Sequence, residues 1–362
     1  MTETALYAVI AGLFGLLIGS FLNVCIYRWT HTPWDLVINH FARTPDASKY
    51  DEWFQATEPA RLDGKVLTVV SRAAVLPDQS QLEARINAFI RTRGVGVESV
   101  RFIAEDHPVE FRQCNLSVVR PRSACPACNQ PIAWYDNIPV LSFLLLRGRC
   151  RHCQEKISWT YPAVELLTGL FFAWFVAHSG PNLTAAKDCL FAAFMIGLIF
   201  SDLETLLLPD EFTIGGFFAG LALSLFVPLP PTLFGLFVDL FGMHLGLRFI
   251  SLGEALAGAL IPSGAMWFLG WCFEKIKQKE YLGFGDVKMI AMMGAFLGLS
   301  GVVVTLLLAS VAGSVIGLAY LKITRKDPAT HYFPFASFMG AAALIVVAAN
   351  GGITGWYEHM LR

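Results

Sequence analysis

Eight apolar stretches, most near the length that crosses a bilayer and some shorter, constrain this chain more than any other feature. They cover residues 6–27, 161–178, 185–207, 212–227, 255–273, 287–299, 302–321 and 335–349. Backbone in hydrocarbon must satisfy its own hydrogen bonds, so stretches of this kind become helices. The expected fold class is therefore an all-α polytopic membrane protein of about eight transmembrane helices. Of 362 residues, 55% are hydrophobic and only 15% charged, against about 25% charged in a soluble domain. Pro228-Leu-Pro-Pro231 punctuates the chain after the fourth stretch, and residues 232–250 are apolar but broken by glycine, Asp239 and Arg248. That piece reads as an amphipathic lid or re-entrant segment. Met1-Thr-Glu-Thr lacks the positive start of a signal peptide and Arg28 follows the first apolar run, so residues 1–28 read as a retained first membrane helix.

Lysine and arginine placement sets the orientation. With residues 28–160 in the cytoplasm and strict alternation thereafter, only Lys187, Arg248 and Arg362 of the 27 basic residues fall outside. Short loops holding Lys275, Lys277, Lys279, Lys322, Arg325 and Lys326 agree. A net charge of −1 with no basic stripe argues against nucleic-acid binding.

Four segments follow from this pattern: 1–28, the first span; 29–116, a cytosolic insertion; 117–160, a cysteine-bearing loop; and 161–362, a membrane core. Within the insertion, residues 65–71 and 98–104 read as strands, and 79–92 as an amphipathic helix opened by Pro77-Asp78. Such a strand–helix–strand module is either a folded insertion docked on the rest or a surface for substrate or partner.

Cys125-Pro-Ala-Cys128 and Cys150-Arg-His-Cys153 form two C-x-x-C pairs separated by 21 residues. Paired knuckles at about this interval signal a structural tetrathiolate zinc site, two thiolates clasping each side of a tetrahedral ion. Two disulfides or free thiols are the alternative, and a cytoplasmic setting disfavours disulfides. His152 lies inside the second knuckle but is surplus to four thiols. The apolar run 138–146 between the knuckles is placed to dip into the membrane interface or to line a groove. Cys25, Cys114, Cys189 and Cys272 read as small apolar residues.

Two acids stand apart. Asp202 follows the apolar run 195–200, and Asp286 lies in Gly283-Phe-Gly-Asp286-Val-Lys288 between two apolar stretches. An ionisable group inside or at the edge of a membrane is costly and marks a functional site. The topology above brings both out on the cytoplasmic side. Two carboxyls that share one proton hold an acid and a base together, which is the chemistry of an aspartyl dyad. Gly283 and Gly285 allow close backbone approach to a substrate strand. Lys288 is a surface anchor or a charge that tunes the site. The plainer readings are a helix N-cap for Asp286 and for Asp210, and a helix-end residue for Asp202. Glu165, just inside an apolar stretch, also invites a role. A proton-coupled transporter using the two aspartates is the competing class; it calls for acids deep within helices.

Taken in order, these motifs resemble the bacterial prepilin peptidases, also called type IV leader peptidases. The resemblance rests on Gly19-Ser-Phe-Leu-Asn-Val24, the two cysteine knuckles, Tyr161-Pro-Ala-Val-Glu165, the segment from Asp202 to Pro209-Asp210, and the G-x-G-D-x-K segment of Asp286 and Lys288. It covers most of the chain outside 33–115 and 228–250. It implies a membrane aspartyl endopeptidase of the bacterial inner membrane, with Asp202 and Asp286 catalytic and the site facing the cytoplasm. The implied substrates are prepilins or pseudopilins, met in membrane lipid. It further implies N-methylation of the new amino terminus with S-adenosylmethionine as donor, linked weakly to Gly148. The chain departs from the family pattern in its long insertion, in the added residues around 228–250, and in Phe333-Pro-Phe-Ala-Ser337, which replaces an I-P-F-G-P-like segment.

Overall fold

The computed structural model describes residues 3–31, 37–38, 41, 50–63, 66–71, 79–93, 97, 99–104, 123–125, 128, 130–242, 244–277, 283–324 and 334–349. Cys114, Lys279, Arg325, Lys326, Phe333 and Arg362 lie outside them. The chain divides into two compact units, Met1–Asn23 with Pro162–Arg362, and Val24–Tyr161.

The first unit is a helical bundle. It contains most of α1 (Glu3–Thr30) and of α5 (Thr160–Ser179), then α6 (Leu183–Thr205), α7 (Asp210–Ser224), α8 (Leu233–Leu240), α9 (Leu247–Lys277), α10 (Phe284–Thr324) and α11 (Phe335–Ala348). Five of these helices, α1, α5, α6, α9 and α10, are long and apolar enough to cross a membrane. The protein is accordingly a multi-pass membrane protein. The eight predicted stretches all map onto helix, with three adjustments. Helices α7 and α11, with 15 and 14 residues, are shorter than the roughly 20 residues that span the hydrocarbon core. The stretches 287–299 and 302–321 are both in α10, which leaves helical geometry at Gly298 (φ 70°, ψ −177°); only glycine takes that backbone shape without strain. The region 232–250 supplies α8 and the start of α9.

Hydrocarbon offers no hydrophobic drive between helices, so they associate by close packing at small residues. The seams here follow that rule. On α1, Cβ atoms added at Gly15 and Gly19 would stand 2.8 Å from the Thr168 carbonyl and 2.6 Å from the Glu165 Cα of α5. Between α9 and α10, one at Gly258 would stand 2.5 Å from the Gly298 carbonyl carbon, and one at Gly294 would collide with the Gly258 carbonyl. Glu254 of α9, fully buried, turns its carboxylate onto the start of α8. It accepts from the Thr232 hydroxyl at 2.5 Å, from the Gly235 amide at 2.9 Å and from the Thr232 amide. A neighbouring helix thus caps α8, whose own N-cap side chain does not. The other faces of α8, at Leu236, Phe237 and Leu240, are exposed.

The second unit holds the insertion and the cysteine loop. In the insertion, α2 (Asp51–Gln55) precedes β1 (Thr57–Asp63), β2 (Val66–Ser71), α3 (Gln79–Arg93) and β3 (Ser99–Ala104). The predicted strand–helix–strand is present as β2–α3–β3, with β2 and β3 parallel. Strand β1 adds an antiparallel edge to β2, its register shifting between Pro59 and Arg61. That proline, which cannot donate to a ladder, hid the strand from the sequence pattern. Leu82, Ile86 and Ile90 of α3 are four apart and pack with Leu67, Val69, Val100, Trp53 and Phe54.

Candidate active site

The C-terminal end of α6 and the N-terminal ends of α7, α10 and α11 meet at one end of the bundle. Helix α6 stops at Thr205 because Leu206 takes a left-handed conformation (φ 56°) and donates its amide back to the Asp202 carbonyl. Pro209, unable to continue a helix from behind, opens α7. The connection returns Leu208 to α10, where its side chain occupies the space a Cβ on Gly285 would approach at 3.1 Å. Gly340 of α11 leaves room for Ile199 of α6 and Met289 of α10.

Asp202 sits in the last turn of α6 and is 5% exposed. Its Oδ2 accepts two hydrogen bonds from Ser337 of α11, one from the amide and one from the hydroxyl, each 2.8 Å. Asp286 lies in the first turn of α10, half-buried, and its amide donates to the Gly283 carbonyl at 3.1 Å. The two aspartates are within electrostatic reach of each other. They also stand at helix ends and not at midspan, which is the placement a surface-facing dyad needs and a midplane proton carrier does not. Carboxyls that come within about 3 Å of each other share a proton, one acting as base and the other as acid.

Helix α10 begins at Phe284, so Asp286 is not its cap. Asp210 is likewise the first residue of α7, whose N-cap is Pro209. Its carboxylate instead forms an ion pair with Lys288 Nζ at 2.6 Å, joining α7 to α10 two residues from Asp286. Of the predicted site residues, the structure brings Asp202, Asp286, Gly283, Gly285 and Lys288 to this end. Glu165 lies on the α1–α5 seam against Gly19. Gly148 belongs to the cysteine loop in the other unit. Sequence reasoning missed Ser337 as a partner of Asp202, although a serine three residues after Pro334 at the head of an apolar helix was a usable signal. It also missed Glu254.

The cysteine loop forms a second candidate site. Cys125, Cys128, Cys150 and Cys153 present sulfurs all within 4.8 Å of one another. Cys125–Cys153 and Cys128–Cys150 are 3.7 and 3.9 Å apart, too far for disulfides. A tetrahedral ion with metal–sulfur bonds of about 2.3 Å sets sulfurs about 3.8 Å apart, so the four thiols fit such an ion and can bind metal. The two knuckles repeat one geometry. Cys125 donates its amide to the Gln130 carbonyl at 3.0 Å and Cys150 to that of Glu155 at 2.8 Å, and each is flanked by a bridge, Ala124 with Pro131 and Arg149 with Lys156. The Cys153 amide, the largest influence, brings the Cys150 thiol down to about 7, toward the thiolate a metal needs. His152 is outside the cluster. Arg151 grips Asp136 with two bonds of 2.8 and 2.6 Å, tying the short 3-10 turn Trp134–Asn137 to the second knuckle. That guanidinium holds the Asp136 carboxyl below its usual range. Gly148 (φ 67°) follows the short helix α4 (Leu141–Leu145) and donates to the Phe143 carbonyl at 2.8 Å. The run 138–146 exposes Leu141, Leu144 and Leu145, and Trp134 and Trp159 of the same loop are exposed as well.

Comparison with known proteins identifies the family. A family model described as the bacterial peptidase A24 N-terminal domain matches residues 13–179, and one described as the type IV leader peptidase family matches 189–318. A prepilin leader peptidase/N-methyltransferase of Aeromonas hydrophila is 37% identical over 71% of this chain and 80% of its own length. Proteins of the same name from Neisseria gonorrhoeae and Pseudomonas aeruginosa are 34% and 32% identical over 70% and 68% of this chain, and 80% and 78% of theirs. No solved structure matches. With both halves matched and the relatives covered over most of their length, the chain belongs to the type IV leader peptidase family.

Proposed function

We propose that this protein is an aspartic endopeptidase that removes the leader from prepilins or pseudopilins at the cytoplasmic face of the bacterial inner membrane, and then N-methylates the new amino terminus. The observation that carries the reading is the convergence of Asp202 and Asp286 at one end of the bundle, each within a segment that matches the family. The relatives' shared name supports both activities, and S-adenosylmethionine is the methyl donor that the second one calls for. The positive-inside pattern of lysines and arginines supports the cytoplasmic orientation.

In the first step the charged carboxylate takes a proton from water as its oxygen attacks the scissile carbonyl carbon. The protonated partner gives its proton to the carbonyl oxygen. A neutral gem-diol results, and the dyad has exchanged its proton. In the second step the carboxyl that gained a proton passes it to the leaving nitrogen as the carbon–nitrogen bond breaks. A gem-diol hydroxyl then returns a proton to the other aspartate. One water is consumed, and an acid and an amine leave.

Four thiolates close a metal's coordination shell, so a zinc ion held by Cys125, Cys128, Cys150 and Cys153 would brace the 123–159 loop and take no part in hydrolysis. The test is incubation of membranes carrying the protein with a prepilin, followed by mass measurement of the product. Cleavage and a methyl increment are expected for the wild type. Asp202→Asn and Asp286→Asn should each abolish cleavage while the protein stays monodisperse in detergent; normal processing by either ends the dyad reading.

A further inference from the structure

The two aspartates differ in what reaches their carboxyl groups. Asp202 Oδ2 receives both the amide and the hydroxyl of Ser337, at 2.8 Å each. Among the described residues no hydrogen-bond donor reaches the Asp286 carboxyl. Ser337 is the third residue of α11, so its N–H is one of the four that a helix leaves without an internal acceptor. The same end of the helix carries the positive pole of its dipole. The Ser337 hydroxyl has one proton, and its 2.8 Å approach to Asp202 Oδ2 is closer than its 3.1 Å approach to the Ile199 carbonyl. Ser337 is 8% exposed, so water competes little for these donors. Two donors aimed at one carboxylate oxygen favour its charged form.

We propose that Ser337 is a positioning residue that holds Asp202 as the negatively charged, proton-accepting member of the pair and leaves Asp286 to carry the shared proton. The inference rests on the dyad reading above and assigns the two roles within it. Asp202 is then the group that takes the proton from water, and Asp286 the one that protonates the carbonyl oxygen. The fixed bonds to α11 also set the rotamer from which Asp202 faces its partner.

The test uses the full chain in lipid nanodiscs and a prepilin substrate, with kcat and KM measured separately. Ser337→Ala removes the hydroxyl and keeps the amide; kcat should fall about tenfold, the scale of one hydrogen bond to a charged group. Ser337→Pro removes both donors, and a first-turn proline is tolerated because its missing N–H has no helical acceptor there; kcat should fall about a hundredfold on the same scale. KM should stay within about twofold in both, since the lost contacts act on the reacting group and not on substrate binding. Ser337→Thr, which keeps both donors, should restore kcat to within about threefold of wild type. Wild-type kcat in the Ala and Pro variants, with Asp202→Asn and Asp286→Asn inactive, overturns this inference and leaves the dyad standing. A raised KM at unchanged kcat also overturns it. Processing by either Asn variant removes the dyad and this inference together. If the proline variant fails to fold, the Ala and Thr pair decides alone.

Discussion

At the residue scale, the ion pair between Lys288 and Asp210 is the contact the sequence least disclosed. Its partners lie 78 positions apart, and each has a plausible local task, Asp210 as a cap and Lys288 as an anchor. Only tertiary structure sets them against each other. Their side chains are 38% and 27% exposed, so the pair contributes about 0–1 kcal/mol to stability, and its larger effect is on where the first turn of α10 holds Asp286. Asp210→Asn and Lys288→Gln should each lower kcat about threefold, and the double variant should be no slower than either single one. Steady-state kinetics on the four proteins checks this; multiplying losses would show that the two residues act separately. The catalytic candidates themselves were legible because an acid isolated in apolar sequence has few other reasons to be there. Their surroundings were not, because the Ser337–Asp202 bonds cross 135 positions of chain.

At the scale of elements, apolar length placed every helix of the bundle except α8, but not its joints. Gly298 looks like any glycine in an apolar stretch, yet it is where α10 departs from helical geometry. The α9–α10 seam depends on Gly258, Gly294 and Gly298, whose spacing of four in α10 was visible, while the facing glycine was not. Packing there has no slack, since a Cβ at Gly294 already collides with backbone. Gly294→Leu should lower the midpoint of thermal unfolding in detergent by several degrees, or prevent a monodisperse preparation, because overpacking costs about 1–3 kcal/mol or more. Gly264→Leu on α9, where nothing lies within 4 Å of the added carbon, should leave the midpoint unchanged or higher. Equal losses in the two variants would refute the seam as the cause.

At the scale of the whole molecule, the two units rest on different physics. The bundle rests on lipid-solvated helices and small-residue seams. Among its described residues the cysteine loop has scarcely any apolar core, and it exposes Trp134, Leu144, Leu145 and Trp159. A loop of that kind needs a cross-link, which four converging sulfurs can supply through a metal. Chelation should therefore remove about one metal equivalent per chain and speed trypsin cleavage at Arg147, Arg149, Arg151 and Lys156, while the helical signal of the bundle persists. Cys150→Ser should behave like the chelated protein. Acid acts on the same loop through Asp136. Its carboxyl is held below the usual range by Arg151, so the stabilisation from that pair is complete above about pH 4, the unfolded value, and fades as pH falls through the lower folded one. Arg151→Ala should remove this contribution, keep the acid sensitivity that thiolate protonation gives a metal site, and leave a loop that trypsin opens faster at neutral pH, at its remaining basic sites. Cleavage rates that ignore both chelation and Arg151→Ala would mean that something other than the metal and this ion pair braces the loop.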